Sequence, residues 1–357
     1  MTTALDGPDL SPALAGLRYL RTVDRSLLHR SSLSEVFLTD ARRVGERRYL
    51  AAAQLPPSHA YYTDHALRVP APDPLLLLEV VRQAETYGGH AYFAVPATTK
   101  FILRSWTVRL PGLLAAGATG SDAVALDVRT GGRRGLPGRL RALTYDTAVY
   151  LGGVAVGEVV IDVGYLSGES YRQLRVDRRG GAAPPSSVDM AVPAPGVPAR
   201  LVGRGNQANV VLAEAEVDAE HAVAALRVPV DNRSMFDHAQ DHVPGMVLME
   251  AARQLCLLAG EDYFAASPAR TAVVGFDFSF SRYAELDAST AITLFRPTNA
   301  EPVLAAALPD VRTYPVQFAQ HGEAIAVGTM STATFTTAAL AGPAITAVPV
   351  VAPGAGR

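Results

Sequence analysis

The sequence predicts an α+β protein made of two copies of one domain, each an antiparallel sheet wrapped around a central helix. Three observations carry this. A nine-residue string recurs, Leu75–Gln83 being matched by Met246–Gln254, with Glu, Arg and Gln at the same offset of 171. The match continues downstream, where Ala155-Val156-Gly157 answers Ala326-Val327-Gly328, and upstream, where Pro56, Asp64 and His65 answer Pro229, Asp237 and His238 at offset 173. Each repeated string is followed by alternating, β-branched segments. An ordered set of matches over such a span marks a duplication, and repeats of this kind fix the architecture before any single element is considered.

The elements follow in order. Pro74 and Pro244-Gly245 start the two helices, because proline suits a first helical turn; Gly88-Gly89 and Gly260 are read as their stops. Both helices are apolar on nearly every side except at Glu, Arg and Gln, so they are expected in the interior. Strand patterns follow at 103–110, 123–129 and 143–166 in the first half, and at 271–281, 291–296 and 311–335 in the second. Gly152-Gly153 and His321-Gly322 read as hairpin turns. The domains are placed at 25–170 and 200–338. The Gly-, Pro- and Ser-rich stretch 171–199 is read as a linker, and 1–24 and 339–357 as tails.

Composition narrows the function. At 357 residues the chain can bury two cores, and 49% hydrophobic with 18% charged residues is a globular balance. A net charge of −2 gives no electrostatic footprint for nucleic acid or an anionic membrane. The single cysteine, Cys256, excludes an intramolecular disulfide and suits a reducing compartment. Neither a secretory leader nor a long apolar run is present, so a cytoplasmic location is expected.

Chemistry concentrates between Asn232 and Gln254. Asp237-His238 and Asp241-His242 precede Pro244-Gly245, where the free amides and partial positive charge of a helix N-terminus can polarise a carbonyl. Glu250 can act as a general base in a dry pocket, and Arg253, on the same helix face, can pair with it or clamp a phosphate. Glu79 and Arg82 repeat that pair in the first half. The competing readings are plain. Glu250 and Arg253 as an ion pair alone would be a costly way to stabilise a helix. His238 and His242 four apart could ligate a metal with Asp241, but the following Pro-Gly gives that stretch loop character. His65 fits a turn or core histidine, Cys256 a core residue and Lys100 a solvated surface residue.

On these residues the sequence resembles two groups. His65 to Glu79 has the spacing of the hotdog dehydratases of fatty-acid synthesis. The closer resemblance is to the A-factor biosynthesis (AfsA-like) family, through Phe236-Asp237-His238, Asp241–Met246 and Glu250–Gln254, with His29–Ser32 and Glu35–Asp40 resembling its opening. The resemblance covers roughly residues 25 to 340 and implies a tandem hotdog fold. It also implies an acyltransferase that joins a β-ketoacyl group from acyl carrier protein to a hydroxyl of dihydroxyacetone phosphate, on the way to a butenolide or γ-butyrolactone signal. The catalytic candidates are then Glu79, Glu250, Arg253, His238 and His242, with Gly245, Arg82, His65 and Asp241 contacting substrate. No cofactor or metal is expected, and the chain is either a monomeric pseudo-dimer or a homodimer. Paired hotdog domains typically build a site from the His of one and the acid of the other. The first half has Arg68–Pro74 where the second has Asp-His-Val-Pro-Gly, so one competent and one degenerate site are expected, with the choice of Glu open. A β-hydroxyacyl dehydratase, a thioesterase and a non-catalytic acyl-binding double hotdog are the alternatives.

Overall fold

The computed structural model describes residues 14, 16–136, 139–297 and 300–336. The first half runs β1 (Leu38–Gly45), β2 (Arg48–Gln54), α1 (Pro74–Phe93), β3 (Lys100–Arg109), the short α2 (Leu113–Gly117), β4 (Ala123–Leu136), β5 (Arg139–Leu151) and β6 (Val154–Leu166). After α3 (Gly168–Arg178) the second half repeats the plan: β7 (Leu212–Val217), β8 (His221–Leu226), α4 (Gly245–Phe264), β9 (Thr271–Phe280), β10 (Ala291–Phe295), the short α5 (Pro302–Ala307), β11 (Val311–Gln320) and β12 (Glu323–Thr334). The strands lie in one sheet with the order β1-β2-β4-β5-β6-β3-β9-β12-β11-β10-β8-β7. Adding six to each strand of one half gives the other half in reverse, so the sheet is a palindrome about the β3–β9 seam.

The seam is antiparallel, with Trp106 opposite Phe278 and Thr107 opposite Asp277. An offset of 171 carries 106 to 277 and 107 to 278, so each of these pairs maps onto its neighbour. A two-fold contact between identical halves requires that. The two central helices begin 171 residues apart, are equally long, and pack on the same sheet and on each other. Their apolar residues join those of the sheet in one continuous core, which explains helices apolar nearly all round.

The hairpin turns are as expected. Gly152 and Gly153 have φ of 55° and 82°, and His321 and Gly322 have φ of 52° and 78°, the left-handed pair a tight two-residue turn needs. The helix stops differ from expectation. Both helices run past their glycines to Phe93 and Phe264, and end on Ala94 and Ala265 in left-handed conformation. The glycines serve packing instead: a Cβ at Gly88 would lie 2.5 Å from the Tyr49 hydroxyl, and one at Gly89 3.1 Å from Phe101.

The flanking segments also carry structure. Within the stretch read as an N-terminal tail, Leu17 is buried against Leu50 and Ala52; residues 1–13 and the expected C-terminal tail lie outside the described residues. The stretch read as a linker enters through α3, whose Ser167 cap accepts from Ser170 N. Arg175 of α3 is buried and reaches both Glu285 oxygens at 2.7 and 2.8 Å, while Arg179 grips Glu285 and Asp287. These contacts dock α3 on the second half. Among the described residues no helix is long and apolar enough to cross a membrane.

Candidate active site

The two repeated glutamates sit in matched surroundings. Glu79 accepts hydrogen bonds from Arg30, from Arg82 at 2.6 Å and from Gln83 at 3.0 Å. Glu250 accepts from Arg204 at 2.9 Å, Arg253 at 2.8 Å and Gln254 at 2.6 Å, and additionally from the Tyr61 hydroxyl at 2.9 Å. Each Gln also ties its helix to backbone in its own half: Gln83 to Glu35, Phe37 and Leu38, and Gln254 to Asn209 and Val211. Arg30 and Arg204 were not singled out in the sequence, although Arg30 lies within the quoted His29–Ser32 string.

The Asp-His pairs at offset 173 link the halves. Asp237 accepts the Ser31 and Ser32 amides at 2.6 and 2.9 Å, and Asp64 accepts the Gly205 and Asn206 amides at 2.9 and 3.1 Å. Each loop that supplies an arginine to a glutamate thus also clasps an aspartate of the opposite half.

The symmetry breaks at the helix N-termini. Residue 73 corresponds to residue 244 by the offset of 171. Asp73 caps α1 by accepting from Leu75 N at 2.8 Å, and both its oxygens take Arg253 at 2.8 Å. Burial pushes the Asp73 carboxyl up, but Arg253 and Arg204 outweigh it and hold the group below the usual range. Glu250 is thereby enclosed by Arg204, Arg253, Asp73 and Tyr61. The adjoining cavity, lined by His65, Asp73, Arg204 and Arg253, measures about 30 Å³, room for only a water or two. His65 lies there with its Nδ1 unpartnered. Pro244, in contrast, offers α4 no side-chain cap, so first-turn amides remain for solvent or a ligand.

A cavity of about 1070 Å³ opens beside that uncapped end. It brings together Glu79 and Arg82 from the first half with His238, Asp241, His242 and Gly245 from the second. Glu250, Arg253 and His65 are not among its walls, so of the residues singled out in the sequence these three stand apart. Burial pushes the Glu79 carboxyl up, but Arg30 and Arg82, with Gln83, bring it below the usual range; it is ionised.

The two histidines differ. The His238 ring is engaged on both sides, by Asp237 at 3.3 Å and by the Gln240 amide at 2.8 Å. His242 Nδ1 lies 2.6 Å from Asp241, which also accepts the Tyr171 hydroxyl at 2.8 Å. Burial raises the Asp241 carboxyl, yet His242, Tyr171 and Arg175 together draw it down to about 2. An ionised Asp241 holds the proton on Nδ1 and leaves Nε2 as the basic nitrogen. Each histidine turns Nδ1 to its own aspartate, and among the described residues no cluster forms a metal-ligand set. Tyr171 reaches this site from α3, inside the stretch read as a linker.

Comparison with known sequences covers both halves of the chain. The profile of the A-factor biosynthesis hotdog domain matches twice, over residues 15–166 and 187–336. The chain belongs to the A-factor biosynthesis hotdog family. A relative from Streptomyces virginiae, a 2-oxo-3-(phosphooxy)propyl 3-oxoalkanoate synthase, is 37% identical over 278 residues, 74% of this chain and 84% of that protein. A synthase of the same name from Streptomyces coelicolor is 30% identical, covering 74% of this chain and 79% of its own. Among solved structures, the 12:0-ACP thioesterase from Umbellularia californica superimposes on 82% of this chain and 99% of its own, at 8% identity and a TM-score of 0.44, too loose a likeness to bear on activity. In this A-factor biosynthesis hotdog protein the two profile matches coincide with the two halves of the sheet, and the open cavity draws its walls from both.

Proposed function

We propose that the chain transfers a 3-oxoacyl group from a thioester on acyl carrier protein to the hydroxyl of dihydroxyacetone phosphate, inside the large cavity between Glu79 and His242. The product would be the ester that the relatives' printed name spells out, a precursor of a butenolide or γ-butyrolactone signal. The observation that carries the reading is the convergence, on one cavity, of an uncapped helix N-terminus, an Asp-oriented histidine and an arginine held by a buried carboxylate.

The chemistry follows from these groups. The thioester carbonyl oxygen points to the first-turn amides at Gly245, which hold the charge that develops on attack. His242 Nε2 accepts the proton of the acceptor hydroxyl as its oxygen bonds to the acyl carbon; the C–S bond then breaks, and the departing thiolate takes that proton. Arg82 has one nitrogen on Glu79 and the rest of its fork available for the phosphate of the acceptor. Glu79 has its charge engaged by Arg30 and Arg82, which hold its carboxyl below the usual range, so it serves as a positioning residue for Arg82. Asp237, flanked by His238, joins the halves beside the site. Glu250, Arg253 and His65, candidates for chemistry in the sequence, hold structure in this reading.

The test is mass spectrometry of purified protein with a 3-oxoacyl thioester and dihydroxyacetone phosphate, each omitted in turn. A phosphorylated ester formed only with both supports transfer, and His242→Ala is expected to lower turnover by about 10²-fold or more. Free acid or enoyl product without the acceptor would replace transfer with hydrolysis or dehydration. No turnover at all would leave a binding protein.

A further inference from the structure

Helix α3 lies between the two profile matches and belongs to neither copy of the repeat, yet it reaches the cavity. Tyr171, Leu174 and Arg178, at i, i+3 and i+7 along one helical face, line the wall. The loop that α3 meets is also where the halves differ. By the offset of 173, Asp241 and His242 correspond to Arg68 and Val69, so this Asp-His pair exists only once. The pair is only partly sheltered. The Asp241 and His242 side chains are 31% and 29% exposed, which leaves room for the imidazole to turn.

Contacts from α3 remove that freedom. The Tyr171 hydroxyl lies 2.8 Å from both Asp241 oxygens, and His242 Nδ1 lies 2.6 Å from one of them. Burial, and next the Asp241 charge, pushes the Tyr171 phenol above its ordinary range, so it keeps its proton and donates. The Tyr171 ring is itself fixed, with Lys100 Nζ 5.8 Å over it and the Tyr283 ring edge-on at 5.8 Å. One turn further, Arg175 donates to the Asp241 backbone carbonyl at 2.8 Å, and its guanidinium lies 4.2 Å over the Tyr283 ring. Tyr283 in turn meets the His242 imidazole edge-on at 5.0 Å. The carboxylate, its backbone and the imidazole are thus all braced from α3.

We propose that Tyr171 is a positioning residue for the transfer: by holding the Asp241 carboxylate it fixes the aim of His242, so that α3 completes a site which the two repeats alone would lack. The proposal rests on the transfer reading, in which His242 Nε2 takes the proton of the acceptor hydroxyl. A base must lie within hydrogen-bond reach of that proton, and an imidazole whose aspartate can swing loses its aim. Two donors share the Asp241 charge, the phenol and the His242 Nδ1–H. Without the phenol the whole charge falls on Nδ1–H, so the tautomer is kept while the orientation is loosened. Neither substrate touches the Tyr171 hydroxyl in this arrangement, so rate should change and affinity should not.

The experiment uses the full-length protein and Tyr171→Phe, which keeps the ring and its packing and removes only the hydroxyl. Urea unfolding establishes that the variant is folded. Steady-state kinetics with 3-oxooctanoyl N-acetylcysteamine thioester and dihydroxyacetone phosphate should show kcat lowered about 10-fold, the worth of one hydrogen bond. Both KM values should stay within about two-fold of wild type. Proton NMR reads the pair without turnover. The low-field Nδ1–H resonance, assigned by its loss in His242→Ala, should move further downfield in Tyr171→Phe as Asp241 gives its whole charge to that bond. An unchanged kcat overturns the proposal, as does an unmoved resonance. A rise in KM with kcat unchanged also overturns it, because Tyr171 would then bind substrate. A resonance that moves in a protein showing no transfer would overturn the transfer reading and leave Tyr171's hold on the pair standing. Transfer at the wild-type kcat in Tyr171→Phe would do the reverse.

Discussion

Truncating the two equivalent glutamates should produce opposite defects. Glu250→Ala removes the carboxylate shared by Arg204 and Arg253, whose side chains are 1% and 9% exposed. Arg253 is then left with Asp73 and Arg204 with the backbone carbonyls of Tyr61 and Asp64, and breaking a buried ionic network of this kind costs about 3–5 kcal/mol. Glu79→Ala frees Arg30 and Arg82, 15% and 35% exposed beside a large cavity, where solvent can replace the lost carboxylate; about 1–2 kcal/mol is expected. With a urea m-value of about 3 kcal/mol/M, Glu250→Ala should lower the unfolding midpoint by roughly 1–1.7 M and Glu79→Ala by about 0.5 M. Turnover, measured at a temperature where both variants are folded, should reverse the order. Glu79→Ala should lose about 10²-fold because Arg82 is no longer held for the phosphate, while Glu250→Ala stays within a few-fold of wild type. A Glu250→Ala protein as stable as wild type but inactive would refute the assignment of this network to structure.

Three further outcomes are expected. Asp241→Asn should cost about 1–2 kcal/mol of stability, because His242, Tyr171 and Arg175 lose the carboxylate they hold ionised, and should cut turnover by about 10²-fold, because the amide no longer dictates which His242 nitrogen is protonated; equal turnover in steady-state kinetics would remove His242 as the base. Gly245→Ala would place a Cβ 3.0 Å from Trp106 and 3.1 Å from Leu103, displacing the α4 terminus, and should lower kcat more than it raises KM for the thioester. Glu85 is raised to about 8 from an unfolded value near 4.5, so its neutral form favours the fold fully below about pH 4.5, and that contribution is lost as the pH rises toward 8. Relative to Glu85→Gln, the wild type should therefore lose about 3 kcal/mol of stability between pH 5 and pH 7.5, measured by urea unfolding across that range; parallel pH curves would show that Glu85 is not buried as a neutral acid.

Much of the fold was legible because duplication writes itself into residue numbers. The 171 offset marked α1 and α4, and hydrophobic alternation marked the long strands after each. The helix ends were misread because glycine serves two purposes, and only the neighbours Tyr49 and Phe101 reveal that close packing is the one at work here. Helix α3 escaped because Gly168–Arg178 is polar and charged, and its fit depends on Glu285, about a hundred residues away. Within the candidate site, Glu79, the Asp237-His238 and Asp241-His242 pairs and the uncapped Gly245 end were visible as local strings. Arg30 and Arg204 were not, since each reaches its glutamate from a loop some fifty residues upstream. The unlike residues at 73 and 244 were visible, but not their effect: that Asp73 seals one site with Arg253 is a contact between halves, and no local pattern announces it.

The palindromic sheet has a consequence for how such a protein can change. In an assembly of two identical chains, every substitution is made at both copies, so a carboxylate that locks one pocket shut locks the other too. One chain carrying both halves escapes that constraint. Residue 73 can become an aspartate that anchors Arg253 while residue 244 remains a proline that leaves its helix open. One half becomes a keystone, the other keeps a cavity beside its helix end, and the seam between Trp106 and Phe278 preserves the geometry both inherit.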